Sequence, residues 1–172
     1  TYITYYVNDA SGNPLSIYST DAQSVINKQE IPIYAAGRIG MATRNATTTS
    51  YNYELTDHLG NVRVTIPRNY NGTNVENIAS YYPFGMQLPG ALHSLTGTPY
   101  RYGYQGQFAE KDPETGFNSF EARMYDSRLG RWLTTDPAAQ YWSPYLGMGN
   151  RPMSSIDPDG RTDGTIDDPH IL

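Results

Sequence analysis

The chain has 172 residues, with 16 Tyr, 16 Gly and 12 Pro, no Cys, and a formal net charge of −5. The missing Cys excludes a disulfide scaffold and a Cys-ligated zinc site, the acidic balance without a basic cluster argues against a nucleic-acid surface, and no run approaches the roughly 20 apolar residues of a membrane-spanning helix. Charged residues make up only 17%, below the roughly 25% of an ordinary domain, which argues against a helix-rich, salt-bridged surface.

Helical periodicity is nearly absent, because Gly, Pro, Asn and Asp recur every few residues and would stop most helices early. Between these breakers lie short runs of Tyr, Ile, Val and Thr, which suit a pleated surface. Thr1–Val7 reads as a strand, Asn8–Pro14 as a turn built on Asp9, Gly12, Asn13 and Pro14, and Leu15–Ser19 as the return strand. Ile31–Ala35 is the next strand, Gly37–Gly40 the next turn, and Thr47–Thr56 a further strand. The segment D-H-L-G-N-V-R-V-T-I at Asp57–Ile66 reads as a turn followed by a strand. Its alternation predicts Val62, Val64 and Ile66 on one face and Arg63 and Thr65 on the other. Tyr6–Tyr18 and Tyr53–Ile66 both place Asp three residues before Gly-Asn and follow it with alternating apolar residues. Such self-similarity suggests stacked hairpins that bury their faces against neighbours.

The second half changes character. Tyr81–Gly85 and Pro99–Gly106 are dense in aromatics and Gly, Asn118–Tyr125 has the pattern of an amphipathic strand, and Arg131–Leu133 is a further short one. Ala138–Tyr145 has room for one short helix. Asp157–Leu172 carries several Asp against one Arg and reads as a solvated tail or linker. The Tyr-rich stripes read as packing ladders more readily than as a stacking surface for sugars or nucleotides. His58, His93 and His170 lie far apart, with no metal-like spacing, and no G-x-S-x-G elbow supports a Ser-His-Asp site.

Several motifs together carry a family resemblance: D-H-L-G-N-V-R at Asp57–Arg63, Y-Y-P-F-G at Tyr81–Gly85, Y-R-Y-G-Y-Q-G-Q at Tyr100–Gln107, E-A-R-M-Y-D-S-R-L-G-R-W-L-T-T-D-P at Glu121–Pro137, and S-P-Y-L-G-M-G-N-R-P-M-S-S-I-D-P-D-G at Ser143–Gly160. In order and spacing the chain resembles the RHS, or tyrosine-aspartate (YD), repeat proteins and their RHS repeat-associated core domain, in a style similar to the Bacteroidota members. The resemblance implies an all-β fold of repeated hairpins forming part of a spiralling β-strip shell, closed by an irregular Gly/Pro-rich core domain. It divides the chain into YD-type hairpins at 1–80, the core domain at 81–160, and the start of a variable C-terminal region or linker at 161–172.

It also implies function. Such a module closes the shell of an exported polymorphic toxin or surface protein, secreted or held at the cell surface, and encapsulates and presents a variable C-terminal effector. The implied partners are the protein's own N-terminal repeats and that toxin-like domain, together with bacterial secretion machinery and an immunity protein or target-cell surface. No cofactor, metal, nucleic acid or membrane span is expected. In several family members the core is an aspartic-type self-protease cutting just after D-P-x-G. Matching that pattern, the carboxylates would be Asp136 and Asp157, and Arg123 would correspond to an essential core arginine.

Hydrolysis of a peptide bond needs an activated water and a proton for the leaving amine, which two close carboxyl groups can supply when one stays protonated. Arg123 could grip a carboxylate bidentately or stabilise the oxyanion, and Asp126 could fix Arg123 if a turn falls at Tyr125-Asp126. The cleavage region would be Gly160, Arg161 and Thr162, although cleaving members commonly carry Leu where this chain has Arg161. Asp-Pro pairs are also ordinary turn starters, so a purely structural role for Asp136 and Asp157 stands beside the catalytic one. A surface adhesin or carbohydrate-binding module is a third reading, supported only by the aromatics.

Overall fold

A computed structural model of the chain describes residues 3–69, 71–72, 74–89, 93–94, 100–106, 109–112 and 114–165. The first residues of the strand expected at Thr1, Pro99 and Gln107 of the aromatic segments, and the tail after Thr165 with His170 lie outside them.

The fold is all-β. Eight strands follow one another in sequence order through one sheet: β1 (Thr4–Asn8), β2 (Pro14–Thr20), β3 (Ile26–Tyr34), β4 (Arg38–Asn45), β5 (Thr49–Thr56), β6 (Val62–Pro67), β7 (Asn77–Ile78) and β8 (His93–Ser94). A second sheet has the order β12-β11-β10-β9, from β9 (Glu110–Lys111), β10 (Asn118–Ser119), β11 (Met124–Asp126) and β12 (Arg131–Trp132). One 3₁₀ turn at Met148–Asn150 precedes a last hairpin of β13 (Ser155–Ile156) and β14 (Gly164–Thr165). The chain separates into two compact units: a sheet unit of Thr1–Leu55 with Thr65–Glu76, and a core unit of Thr56–Val64 with Asn77–Leu172.

One turn design recurs. Asp9 Oδ1 accepts the backbone N–H groups of Ser11 and Asn13 at 2.8 and 2.9 Å. Asp21 repeats this with Gln23 and Val25, both at 2.9 Å, and Asp57 with Leu59 and Asn61 at 3.0 and 3.1 Å. In each turn the Asp N–H also bonds the carbonyl four residues on, and the residue after that interval's midpoint, Gly12, Ser24 or Gly60, has a left-handed backbone. Glycine takes that conformation without steric cost, and the Asp side chain replaces backbone partners that the turn cannot supply. Among the described residues the full pattern therefore occurs at Asp9, Asp21 and Asp57, one place more than the two legible in the sequence. The Asp21 copy escapes notice in the sequence because Ser24 stands where the others have Gly.

Several expectations are corrected. Gly37–Gly40 is not simply a turn: β4 starts at Arg38 and runs through R-I-G-M-A-T-R-N, where Gly40 and two Arg obscure the strand pattern. Along β6, Thr65 is fully buried while Val64 and Ile66 are only half-buried, so both faces are partly covered and the simple inside–outside alternation fails. Asn118–Tyr125 is two strands, since the chain reverses between β10 and β11 and pairs Ser119 with Met124. Ala138–Tyr145 contains no helix; Asp136 caps a turn there, accepting the N–H groups of Ala138 and Gln140 at 3.0 and 2.9 Å. Nor is the segment from Asp157 a solvated tail as far as Thr165. It forms the β13–β14 hairpin, with Asp157, Gly160, Asp163 and Gly164 buried, because its carboxylates have specific partners.

Candidate functional site

The core unit is organised around aromatics. Tyr104, Phe120, Tyr125, Trp132 and Met148 form its buried cluster with Ala109. Tyr104 and Tyr125 stack at 5.9 Å between centroids, and Trp132 meets Phe120 and Tyr125 edge-on at 5.0 and 5.2 Å. Such tilted and offset geometries suit the ring quadrupoles.

Arg123 occupies the tight reversal between β10 and β11, which directs its side chain inward. Its Cζ lies 4.1 Å from the centroid of Trp132, a cation–π contact in a site where little water competes. Its side chain is 2% exposed, and three groups converge on it. Nη1 lies 3.4 Å from Asp136 Oδ1, Nη2 lies 3.3 Å from Asp157 Oδ2, and Nε donates to the carbonyl oxygen of Gly160. The side chains of Asp136 and Asp157 are 5% and 0% exposed, so these ion pairs are shielded from solvent.

The D-P-D-G turn is held from both sides. The Ala122 N–H donates to the Asp159 carbonyl at 3.0 Å. Gly160 has φ +74°, and a Cβ there would lie 3.0 Å from Phe120 Cβ and 3.1 Å from the Arg123 nitrogen. Glycine is thus required twice over, by conformation and by close approach. The Arg161 N–H is shared between Asp157 Oδ1 at 3.0 Å and Asp159 Oδ1 at 2.8 Å, and Thr162 N–H reaches the same Asp159 oxygen at 3.1 Å.

Burial pushes the Asp157 carboxyl up to about 7; Asp159 adds to the rise, and Arg123 opposes it. Asp159 moves the other way. Its burial is outweighed by the N–H groups of Arg161 and Thr162 and by the Asp157 carboxyl, which hold it below its ordinary value.

Sequence reading put Asp136, Asp157 and Arg123 together, and the structure brings all three into one cluster. The arrangement differs from a simple Asp136–Asp157 pair: Arg123 takes one carboxyl group on each terminal nitrogen, and the carboxyl that shares the Arg161 N–H with Asp157 is Asp159. Asp126 is a correction. It does not fix Arg123 but grips Arg128, at 2.9 and 2.8 Å, and caps its own turn through the Arg128 N–H. Arg123 lies in the reversal before β11 and Asp126 at its far end, where the turn to Gly130 brings Arg128 back onto it.

Four residues of the site carry no signal in the sequence: Gln105, Gln140, Tyr141 and Asp163. Gln105 Oε1 accepts the Asp157 N–H at 3.0 Å. Gln140 pairs with both backbone groups of Asp163, at 2.8 and 3.1 Å, and the Tyr141 hydroxyl donates to Asp163 Oδ2 at 3.1 Å. No charge or turn signal marks Gln105 or Gln140, whereas Asp163 was hidden in what looked like an acidic tail.

A family profile described as the teneurin YD-shell matches residues 7–147. The chain belongs to that family. This YD-shell chain is 35% identical over 170 residues to salivary gland surface protein 1 of Aedes aegypti, covering 95% of the chain and 5% of that protein. It is 35% identical over 89 residues to toxin subunit YenC2 of Yersinia entomophaga, covering 50% of the chain and 9% of the subunit. The YD-shell chain thus spans only a small part of these relatives. Among solved structures it resembles the crystal structure of TcdB2-TccC3-Cdc42, with a TM-score of 0.70 and 20% identity over 86% of the chain and 7% of that one. It also resembles a structure of the Photorhabdus luminescens Tc holotoxin pore, with a TM-score of 0.53 and 16% identity over 98% of the chain and 10% of that one. These similarities are of fold, and the fold is that of an RHS/YD shell.

Proposed function

We propose that this chain is the shell-closing core module of an exported RHS-family protein that encloses and presents a variable C-terminal effector. The reading takes residues 1–80 as hairpin repeats, 81–160 as the core domain in its Bacteroidota-like style, and 161–172 as the start of the variable region. One observation carries it: Arg123 ties the D-P-D-G turn, through Gly160 and Asp157, into the aromatic centre of the core unit. A segment anchored there leaves the fold from a fixed point, which is what presenting a downstream domain requires. The toxin-subunit relative and the surface-protein relative support an exported location. The experiment is limited proteolysis of the full-length protein. Protection of residues downstream of 172, lost on Arg123→Met, supports the enclosure; equal digestion in both forms overturns it.

A second reading, self-cleavage near Arg161, is favoured by the surroundings of the Gly160–Thr162 segment. Water would attack a peptide carbonyl carbon there, a carboxylate would take the water's proton, and the Arg123 guanidinium would balance the developing oxyanion. The C–N bond then breaks as a protonated carboxyl gives its proton to the departing nitrogen, leaving a new carboxylate and a new amine. Burial raises the Asp157 carboxyl, which suits it to the donor's part, and Asp136 and Asp159 lie in the same cluster. Intact mass of the full-length protein tests this. Two species split near Arg161, merging into one in Asp136→Asn, support it. A single uncut species indifferent to that substitution removes it.

A further inference from the structure

Gln105 carries neither charge nor a place in the chemistry above, yet it is among the most constrained residues of the core unit. It is 0% exposed and has φ +43°, a left-handed conformation that L residues adopt at a cost. Its N–H donates to Asn61 Oδ1 at 2.8 Å, and Asn61 Nδ2 donates to Asp57 Oδ2 at 2.9 Å. At its other end, Oε1 accepts the Asp157 N–H at 3.0 Å, and Nε2 rests on Met148 Sδ at 3.3 Å. Met148 is itself 0% exposed with φ +51°. Two strained, fully buried residues in contact, beside a buried carboxyl, persist only where their surroundings over-determine them. Glycine would occupy the Gln105 backbone without strain. What glycine lacks is the amide that meets Asp157.

We propose that Gln105 is a positioning residue: anchored to the D-H-L-G-N turn through Asn61, it holds the Asp157 backbone so that the carboxyl faces Arg123 and the Arg161 amide. Its geometry stands alone, while its consequence for catalysis rests on the self-cleavage reading. Fixing the Asp157 peptide plane fixes the start of the D-P-D-G turn, because the two turns share one chain of side-chain amides.

The test uses the full chain and two readouts. Gln105→Gly removes the amide and relieves the backbone, and far-ultraviolet circular dichroism with a denaturant melt checks that the fold is retained. It is expected to slow self-cleavage more than tenfold without moving the midpoint of the pH–rate profile, and to speed hydrogen exchange at the Asp157 amide more than tenfold. Gln105→Glu keeps the acceptor oxygen and should return that exchange rate towards the parent's. Asn61→Ala combined with Gln105→Gly should be no slower than Gln105→Gly alone, since both act through one relay. Unchanged exchange at Asp157 in Gln105→Gly, or cleavage at the parent's rate, overturns the proposal. If the parent chain does not cut itself, faster exchange in the variant still supports the positioning role while the self-cleavage reading falls.

Discussion

The two units draw on the same vocabulary, Tyr and capped Asp turns, for different ends. In the sheet unit the strands are five to nine residues long from β1 to β5, and large side chains such as Tyr5, Tyr6 and Leu15 stay about half exposed. Backbone ladders supply most of its order. Its buried polar groups serve the sheet, as where Arg38 grips Glu54 at 2.9 Å with both side chains shielded. In the core unit the strands shrink to two or three residues. Order comes instead from rings packed on rings and from one guanidinium that gathers two carboxylates and a carbonyl. A charge in the sheet unit is therefore a local matter, while one in the core unit ties distant segments together.

Breaking that tie should give the largest effect. Arg123→Met takes the cation from the buried Asp136 and the donor from the Gly160 carbonyl, and removing one partner of a buried pair costs about 3–5 kcal/mol. Tyr5→Ala on exposed β1 should cost much less, on the order of 0.5 kcal/mol. Denaturant melts give the size, and peptide-resolved hydrogen exchange shows where protection is lost. Loss confined to the core unit sharpens the comparison; equal loss in β3 and β4 breaks it. Trp132→Leu asks a narrower question, because it keeps an apolar side chain but removes the ring face under Arg123. A desolvated cation–π contact is worth about 2 kcal/mol, so a loss of at least that size is expected in the same melts, since the smaller side chain also leaves a cavity beside Phe120 and Tyr125.

The units should also differ in pH response. Asp157 titrates near 7 in the folded chain against 3.8 when unperturbed. Between those values the folded chain keeps a proton that the unfolded chain has released, so core-unit stability falls as pH rises through that window and levels off above it. The slope is at most about 1.4 kcal/mol per pH unit. Asp163, also raised by burial, acts in the same direction. Asp126 and Asp159 are held low, so their contributions are lost only as pH falls below the ordinary carboxylate range. In the sheet unit, Asp9 is likewise lowered, which predicts no matching slope there. Melts from pH 4 to 8 check this, and Asp157→Asn should flatten most of the core-unit slope.

Much of this was legible in the sequence where local chemistry decides. Turn residues and β-branched runs mark β1, β2, β3, β5 and β6, and the D-H-L-G-N segment announces its hairpin. Arg123, Asp136 and Asp157 stand out through their motifs. What was illegible depends on tertiary contacts. β4 contains a glycine and two arginines, and only its neighbours make it a strand. The reversal at Glu121–Arg123 has no Gly or Pro; it is held by the D-P-D-G turn, whose Asp159 carbonyl accepts the Ala122 N–H. Asp126 chose Arg128 because the Asp126–Gly130 turn brings that arginine back onto it. Asp163 looked like tail because an acidic stretch gives no sign of the Gln140 and Tyr141 side chains waiting for it.

The smallest predicted effect tests whether the shared turn is the same object in both units. Ser24 in the sheet unit holds its left-handed position at φ +64°, where Gly12 and Gly60 stand in the other copies, and Ala139 in the core unit holds the matching position at φ +50° in the related Asp136 turn, whose Asp N–H bonds Pro144 instead. A left-handed L residue costs about 1–2 kcal/mol, and glycine returns roughly 0.5–1 kcal/mol of that through its freer unfolded chain. Ser24→Gly and Ala139→Gly should each therefore stabilise by about 0.5 kcal/mol, read as a small rise in denaturant midpoint at constant slope. Equal gains mean that the turn is a transferable part whose strain is local. A gain for Ser24→Gly with a loss for Ala139→Gly would mean that the core unit uses the stiffness of Ala139 to hold Asp136 against Arg123. The capping carboxylate would then have become part of the site.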